Sequence, residues 1–188
     1  IMMFMLTGTS SCKNFVEIPA PINQIVSETA FADDKTAIAT INGIYSKMMS
    51  SQQSICSSTL SLYAGMSADE LVYFTTTTRD EFVINKISQA NNTILESQLW
   101  NPAYNLIYAA NSCIEGATAS TSISKEIRNQ VLGEAYFIRA FLYFNLVNLF
   151  GDVPLITSTD YNSNKDAPRT VATSIYSQIT EDLLKANT

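Results

Sequence analysis

Apolar residues recur at intervals of three and four along this chain, the spacing of helices that bury one face. The strongest run lies within residues 127–155. Ile127, Val131, Ile138, Phe141, Leu142 and Leu149 repeat at helical spacing. Tyr136, Phe137, Tyr143, Phe144 and Phe150 carry aromatics onto further faces. A helix apolar almost all round is expected to be covered on most sides by other elements. Ser124 is its predicted N-cap, and Phe150 lies near its end, a span of about 40 Å at the α-helical rise. Gly151 stands where a C′ residue belongs and Pro154 forbids continuation. The chain is expected to turn sharply over 151–154 and leave extended.

Further helices follow the same logic. Asp33 or Asp34 caps a helix with Ala37, Ile41, Ile44, Tyr45 and Met48 on one face. Ile55, Leu60, Leu62, Tyr63 and Met66 predict a second helix, interrupted near Ser50 and Ser51. Asn101 reads as an N-cap with Pro102 at the first helical position. Trp100, Tyr104, Ile107, Tyr108 and Ile114 form that helix's stripe, while Ala103, Ala110 and Gly116 leave room for close approach. After a polar loop over 155–169, Thr170 or Thr173 caps a last helix with Ile175, Tyr176, Ile179, Leu183 and Leu184 as its apolar face. Nothing later in the sequence would cover that face, so a longer protein is expected. The predicted fold class is all-α: tetratricopeptide-like helical pairs around a long central helix, with irregular loops. Leu132-Gly133-x-x-Tyr136 fits the start of such a repeat.

Residues 67–98 are the least regular. Residues 67–70 resemble a capped turn, Val72, Tyr73 and Phe74 before four threonines favour extended backbone, and Asn91-Asn92 marks a turn. Long loops in compact domains are commonly functional, so a ligand surface is sought here. Asp69, Tyr73 and Arg79 put polar hydrogen-bonding groups beside an aromatic, as sugar hydroxyls require. The same residues would also suit a solvated loop. Trp100 fits either stacking on a sugar ring or, with Tyr104 one turn on, a place in the core. Arg139 lies mid-helix among apolar neighbours and needs a carboxylate. Glu134, five residues back, is off its face, so a tertiary partner and a structural role are expected.

Composition narrows the chemistry. At 188 residues and 46% hydrophobic, the chain is one domain or a large piece of one, with a real core. A net charge of −6 without a Lys/Arg run argues against nucleic acid. There is no histidine, which removes Ser-His-Asp, Cys-His and His-metal chemistry. Cys12, Cys56 and Cys113 lack any C-x-x-C spacing, and Cys113 fits a small core residue. No metal and no cofactor are expected. Asp69-Glu70 and Asp80-Glu81 are sequence neighbours, unsuited to hold two carboxyls about 5–9.5 Å apart across a glycosidic bond, so catalysis is not predicted.

Residues 1–6 are apolar, 7–11 are small, and Cys12 follows. The apolar run is too short to span a bilayer. Residues 1–11 read as a signal-peptide remnant. Thr9-Ser10-Ser11-Cys12 resembles a bacterial lipobox, a signal whose cysteine is lipidated and becomes the first mature residue. Residues 13–32, with Pro19 and Pro21, are expected to form an extended arm, and 12–188 to make up the helical domain.

The run Gly133-Glu134-Ala135-Tyr136-Phe137-Ile138-Arg139-Ala140-Phe141-Leu142-Tyr143-Phe144, followed by Gly151-Asp152-Val153-Pro154, closely resembles a signature of the SusD/RagB family. Other segments fall in that family's order: Asn42-Gly43-Ile44-Tyr45, Trp100-x-x-x-Tyr104 with Asn111, then Arg169 and Tyr176-x-x-Ile179-x-x-Asp182-Leu183. The resemblance covers nearly all of 12–188 and only the family's N-terminal portion. It implies a surface-exposed outer-membrane lipoprotein, built from tetratricopeptide-like helix pairs, that binds oligosaccharides and is not an enzyme. It further implies delivery to a TonB-dependent, SusC-like transporter, over which the protein closes as a lid. Two alternatives stand beside it: a peptide-binding member of the same family, and a helical-repeat scaffold for a protein partner.

Overall fold

The computed structural model describes residues 27–50, 55–72, 79–88 and 93–187. The expectations for Cys12, the arm before residue 27, Ser51, Tyr73, residues 74–78 and Asn91-Asn92 fall outside these residues. The elements are α1 (Ser27–Ala30), α2 (Asp34–Ser50), α3 (Ser58–Ser67), α4 (Asp80–Val83), a π-helical turn (Leu95–Trp100), α5 (Asn101–Ala119), α6 (Lys125–Phe150), β1 (Val153–Pro154), α7 (Tyr161–Asn164), β2 (Arg169–Thr170) and α8 (Ala172–Ala186). α5 and α8 pack most extensively on α6, with α2 against both α5 and α6. The architecture is all-α apart from a two-residue antiparallel ribbon pairing Val153 with Thr170 and Pro154 with Arg169.

Local chemistry explains the helix starts. Asp33 accepts from the Thr36 amide at 2.8 Å, and the Thr36 hydroxyl accepts from the Asp33 amide at 3.2 Å, a reciprocal cap for α2. The Thr36 amide holds the Asp33 carboxyl below its usual range. Asp34 reaches away, accepting from the Ser124 amide at 2.7 Å and so tying α2 to the start of α6. Ser124 in turn caps α6 through the Ile127 amide. At the other end Gly151 takes a positive φ of 66°, where a Cβ would be strained, and the chain turns into β1. Gly116 provides space: a Cβ built there would lie 2.2 Å from the Phe31 ring.

Two expectations need correction, at the starts of α5 and α8. Asn101 is not a cap: it has helical backbone angles, and its amide donates to the Glu96 carbonyl five residues back. Helix runs through the π turn into α5, and the wider turn lies immediately ahead of Pro102, which has no amide to donate. α6 is covered on most sides, as its pattern predicts. Phe137, Phe141 and Phe144 follow one another at i, i+4 and i+7 on the face left open between its packed neighbours. The start of α8 is capped by neither threonine: Val171 precedes it, and the Asp152 carboxylate accepts the Ala172 amide at 2.9 Å. Its inner stripe is Ile175, Ile179 and Asp182, while Leu183 and Leu184 stand exposed.

Arg139 finds its tertiary partner. Its guanidinium donates to Asp182 of α8 through Nε at 2.8 Å and Nη2 at 2.7 Å. Nη1 donates to Asn111 Oδ1 of α5 at 2.7 Å and to the Thr157 carbonyl at 3.2 Å. Asn111 passes its own amide hydrogens to the carbonyls of Ile156 and Ser158. One buried cation thus joins α5, α6, α8 and the segment after β1. The aligned donors and acceptors are what make a buried charge pair tolerable.

Candidate functional site

A cavity of about 630 Å³ opens where the π turn, the C-terminus of α6, β2 and the segment after α4 converge. That volume is in the usual range of small-ligand pockets. Trp100 and Phe150 supply aromatic wall, Ile87 and Leu95 aliphatic wall, and Glu96 and Arg169 opposite charges. Trp100 is half-buried, packed on Tyr104 with ring centroids 5.1 Å apart and edge-on against Phe150 at 5.1 Å. The Arg169 guanidinium carbon lies 5.4 Å from the indole centroid, within cation–π range. Trp100 therefore braces the core and lines the cavity.

Ser88 and Ile87 reach this wall because Glu81 gathers the segment after α4. Its carboxylate accepts from the Ser88 amide at 2.8 Å and from the Ser88 hydroxyl at 3.3 Å. Beyond Ile87, Leu95 and Phe150, which line both spaces, lies a second, more apolar hollow of about 400 Å³. Tyr63 and Phe82 stack in its wall at 4.5 Å.

Of the residues expected from sequence, Trp100 lies on the main cavity. Arg79 stands next to the second hollow: it is half-buried, with Nε 3.5 Å from the Tyr63 hydroxyl, which donates to Gln98 on the π turn. Asp69 has a different job. It adopts a positive φ of 60° in the turn that ends α3, with its side chain exposed, so its visible role is in the backbone. Tyr73 and Cys12 lie outside the described residues. Arg169, Phe150 and Glu96 were missed as site residues. Long-range packing carries Phe150 and Arg169 to Trp100, whereas Glu96 lies four residues before it on the same turn.

The remaining polar groups serve the scaffold. The Tyr143 hydroxyl accepts from the Ile156 amide at 2.7 Å and donates to the Ile156 carbonyl at 3.0 Å. Burial pushes its pKa up to about 12 and that of the buried Cys113 thiol up to about 11. Among the described residues no group of His, Cys, Asp and Glu side chains is placed to hold a metal ion, and no helix is long and apolar enough to cross a membrane.

Residues 14–188 match the SusD-like family model described as "Starch-binding associating with outer membrane". The chain belongs to this SusD-like family. A SusD-like protein of Formosa agariphila, P2, is 30% identical over 97% of this chain and 35% of its own length. A second from the same organism, P25, is 26% identical over 84% of this chain and 31% of its own. The chain thus spans about a third of the curated relatives it matches. Among solved structures, a laminarin-binding SusD-like protein superposes with a TM-score of 0.66 at 24% identity, over 83% of this chain and 34% of that one. NanU of B. fragilis gives 0.64 at 19%, over 89% and 33%. These likenesses establish a SusD-like helical fold, and the family is one of carbohydrate-binding proteins associated with the outer membrane.

Proposed function

We propose that this chain is the helical N-terminal portion of a cell-surface lipoprotein that captures oligosaccharides and hands them to a TonB-dependent, SusC-like transporter. The observation that carries this reading is the Trp100 cavity in a chain of a starch-binding family. An aromatic wall offers stacking for a sugar ring, and Arg169, Glu96 and Ser88 offer hydrogen bonds to its hydroxyls. The action is binding without bond chemistry. Glycoside hydrolysis needs two carboxyls across the substrate, and among the described lining residues the cavity has Glu96 alone. The lipid anchor at Cys12 is supported by the lipobox-like run Thr9-Ser10-Ser11-Cys12, and the transporter partner by the family.

The test is affinity electrophoresis and calorimetry of the full-length protein against a polysaccharide panel that includes starch and laminarin. Binding to at least one glycan, weakened by Trp100→Ala, is expected. Transporter association without binding to any glycan would sink the capture role and favour the protein-scaffold reading. Binding to peptides in place of glycans would move the protein to the peptide-binding branch.

A further inference from the structure

Trp100 and Arg169 are held in a closed ring of contacts that runs through four elements. The indole packs on the Tyr104 ring at 5.1 Å. The Tyr104 hydroxyl donates to the Pro154 carbonyl at 2.8 Å. Pro154 pairs with Arg169 across the ribbon. The Arg169 guanidinium returns to the indole at 5.4 Å. Trp100 ends the π turn, Tyr104 lies on α5, Pro154 on β1 and Arg169 on β2.

The ribbon is the weak link. It has two residue pairs, and an isolated two-stranded ribbon is marginal by itself. The Arg169 guanidinium also donates to the Asp152 carbonyl at 2.5 Å, which holds Arg169 to the residue before β1, so the place of the pair relative to α5 is set by contacts from outside the ribbon. The Tyr143 hydroxyl also approaches the Pro154 carbonyl, at 3.5 Å, but it is engaged by Ile156 at 2.7 and 3.0 Å. Tyr104 makes the close bond, and burial raises its pKa, which keeps the phenol protonated as a donor.

We propose that Tyr104 is a positioning residue: through the Pro154 carbonyl, its hydroxyl sets where Arg169 lies over Trp100, and with it the shape of the wall a ligand meets. The ligand half of this statement rests on the glycan-capture reading; the ring itself rests on geometry.

Trp100 is the one tryptophan of the 188 residues, so its fluorescence reports on the ring directly. In the full-length protein the signal is read as the difference from Trp100→Phe. Tyr104→Phe keeps the aromatic packing and removes only the hydroxyl. It is expected to red-shift Trp100 emission, speed its quenching by acrylamide and leave helix content unchanged. Affinity for a polysaccharide bound by the parent should fall about threefold to tenfold, the worth of one ordinary hydrogen bond. Arg169→Gln should act in the same direction, and Arg169→Lys, which keeps a cation, should act less. Tyr143→Phe is the control: it loosens the segment after β1 and lowers the melting temperature without moving the emission. Unchanged emission and quenching in Tyr104→Phe would overturn the ring. Altered emission with unchanged affinity would overturn the positioning role. A parent that binds no polysaccharide would sink the capture reading instead, and the emission arm then decides the ring.

Discussion

Arg139 and Asp182 meet inside the core as a two-pronged ion pair, at 2.7 and 2.8 Å, although they lie 43 positions apart in the chain. Both side chains are almost wholly withdrawn from solvent, and Gln178 donates to the same carboxylate at 2.9 Å. The pair lies on the face of α8 that turns inward. Asp182 continues the line of Ile175 and Ile179, and the more apolar Leu183 and Leu184 stay outside.

Removing one member of this pair strands the other. Arg139→Met should cost about 3–5 kcal/mol, because the Asp182 carboxylate then remains buried without its cation. Arg139→Met with Asp182→Leu should recover most of that loss. Urea or thermal unfolding of the three proteins checks the expectation; a single variant as stable as the parent would refute it.

Alkaline pH should destabilise the fold through Tyr143. Its pKa is about 12 in the folded protein against an ordinary 10.0, because burial disfavours the phenolate. A raised folded pKa gives stability that is fully present below the unfolded pKa and lost as pH rises through the folded one. The Tyr143 contribution should therefore decline between pH 10 and about 12. Cys113 works in the same direction from pH 9.0 to about 11. Melting temperature against pH should fall less steeply above pH 10 in Tyr143→Phe than in the parent.

Gly116 is a packing requirement. A Cβ there would meet the buried Phe31 ring at 2.2 Å, so Gly116→Ala must displace the ring and the α1 end with it. Overpacking of this kind costs about 1–3 kcal/mol. Pairing it with Phe31→Leu should return part of the loss. Thermal melts of both variants measure the coupling, and additive effects would show that the two residues do not compete for the same space.

Attachment to the membrane is expected to depend on Cys12. Cys12→Ala should move the protein from the membrane fraction to the soluble fraction on cell fractionation, since acyl chains supply about 0.8 kcal/mol per buried CH₂. Unchanged membrane retention would rule out the anchor.

Much of the helical plan was legible along the chain. The Ser124 cap, the Gly151 stop and the 3.6-residue period of α6 are local signals, satisfied by neighbours within a few residues. The same local logic made Asn101 a cap, although it found the start of α5 to within a residue. Asn-Pro is a common helix opening, and nothing nearby shows that a π turn runs straight through Asn101. The cavity was half legible: Trp100 was open to sugar stacking or a core place, but Arg169 and Phe150 carry no local mark as its neighbours.

The sequence by itself determined that this is an all-α chain with one long apolar helix, no histidine chemistry and a SusD-like signature from Gly133 to Pro154. Tertiary structure alone decided which carboxylate answers Arg139, why Asp152 rather than a threonine caps α8, and how Tyr104 and Arg169 close around Trp100. The division has a physical cause. Helix period and capping depend on residues one turn apart, whereas ion pairs, borrowed caps and aromatic cages join residues tens of positions apart that meet only once the helices have packed.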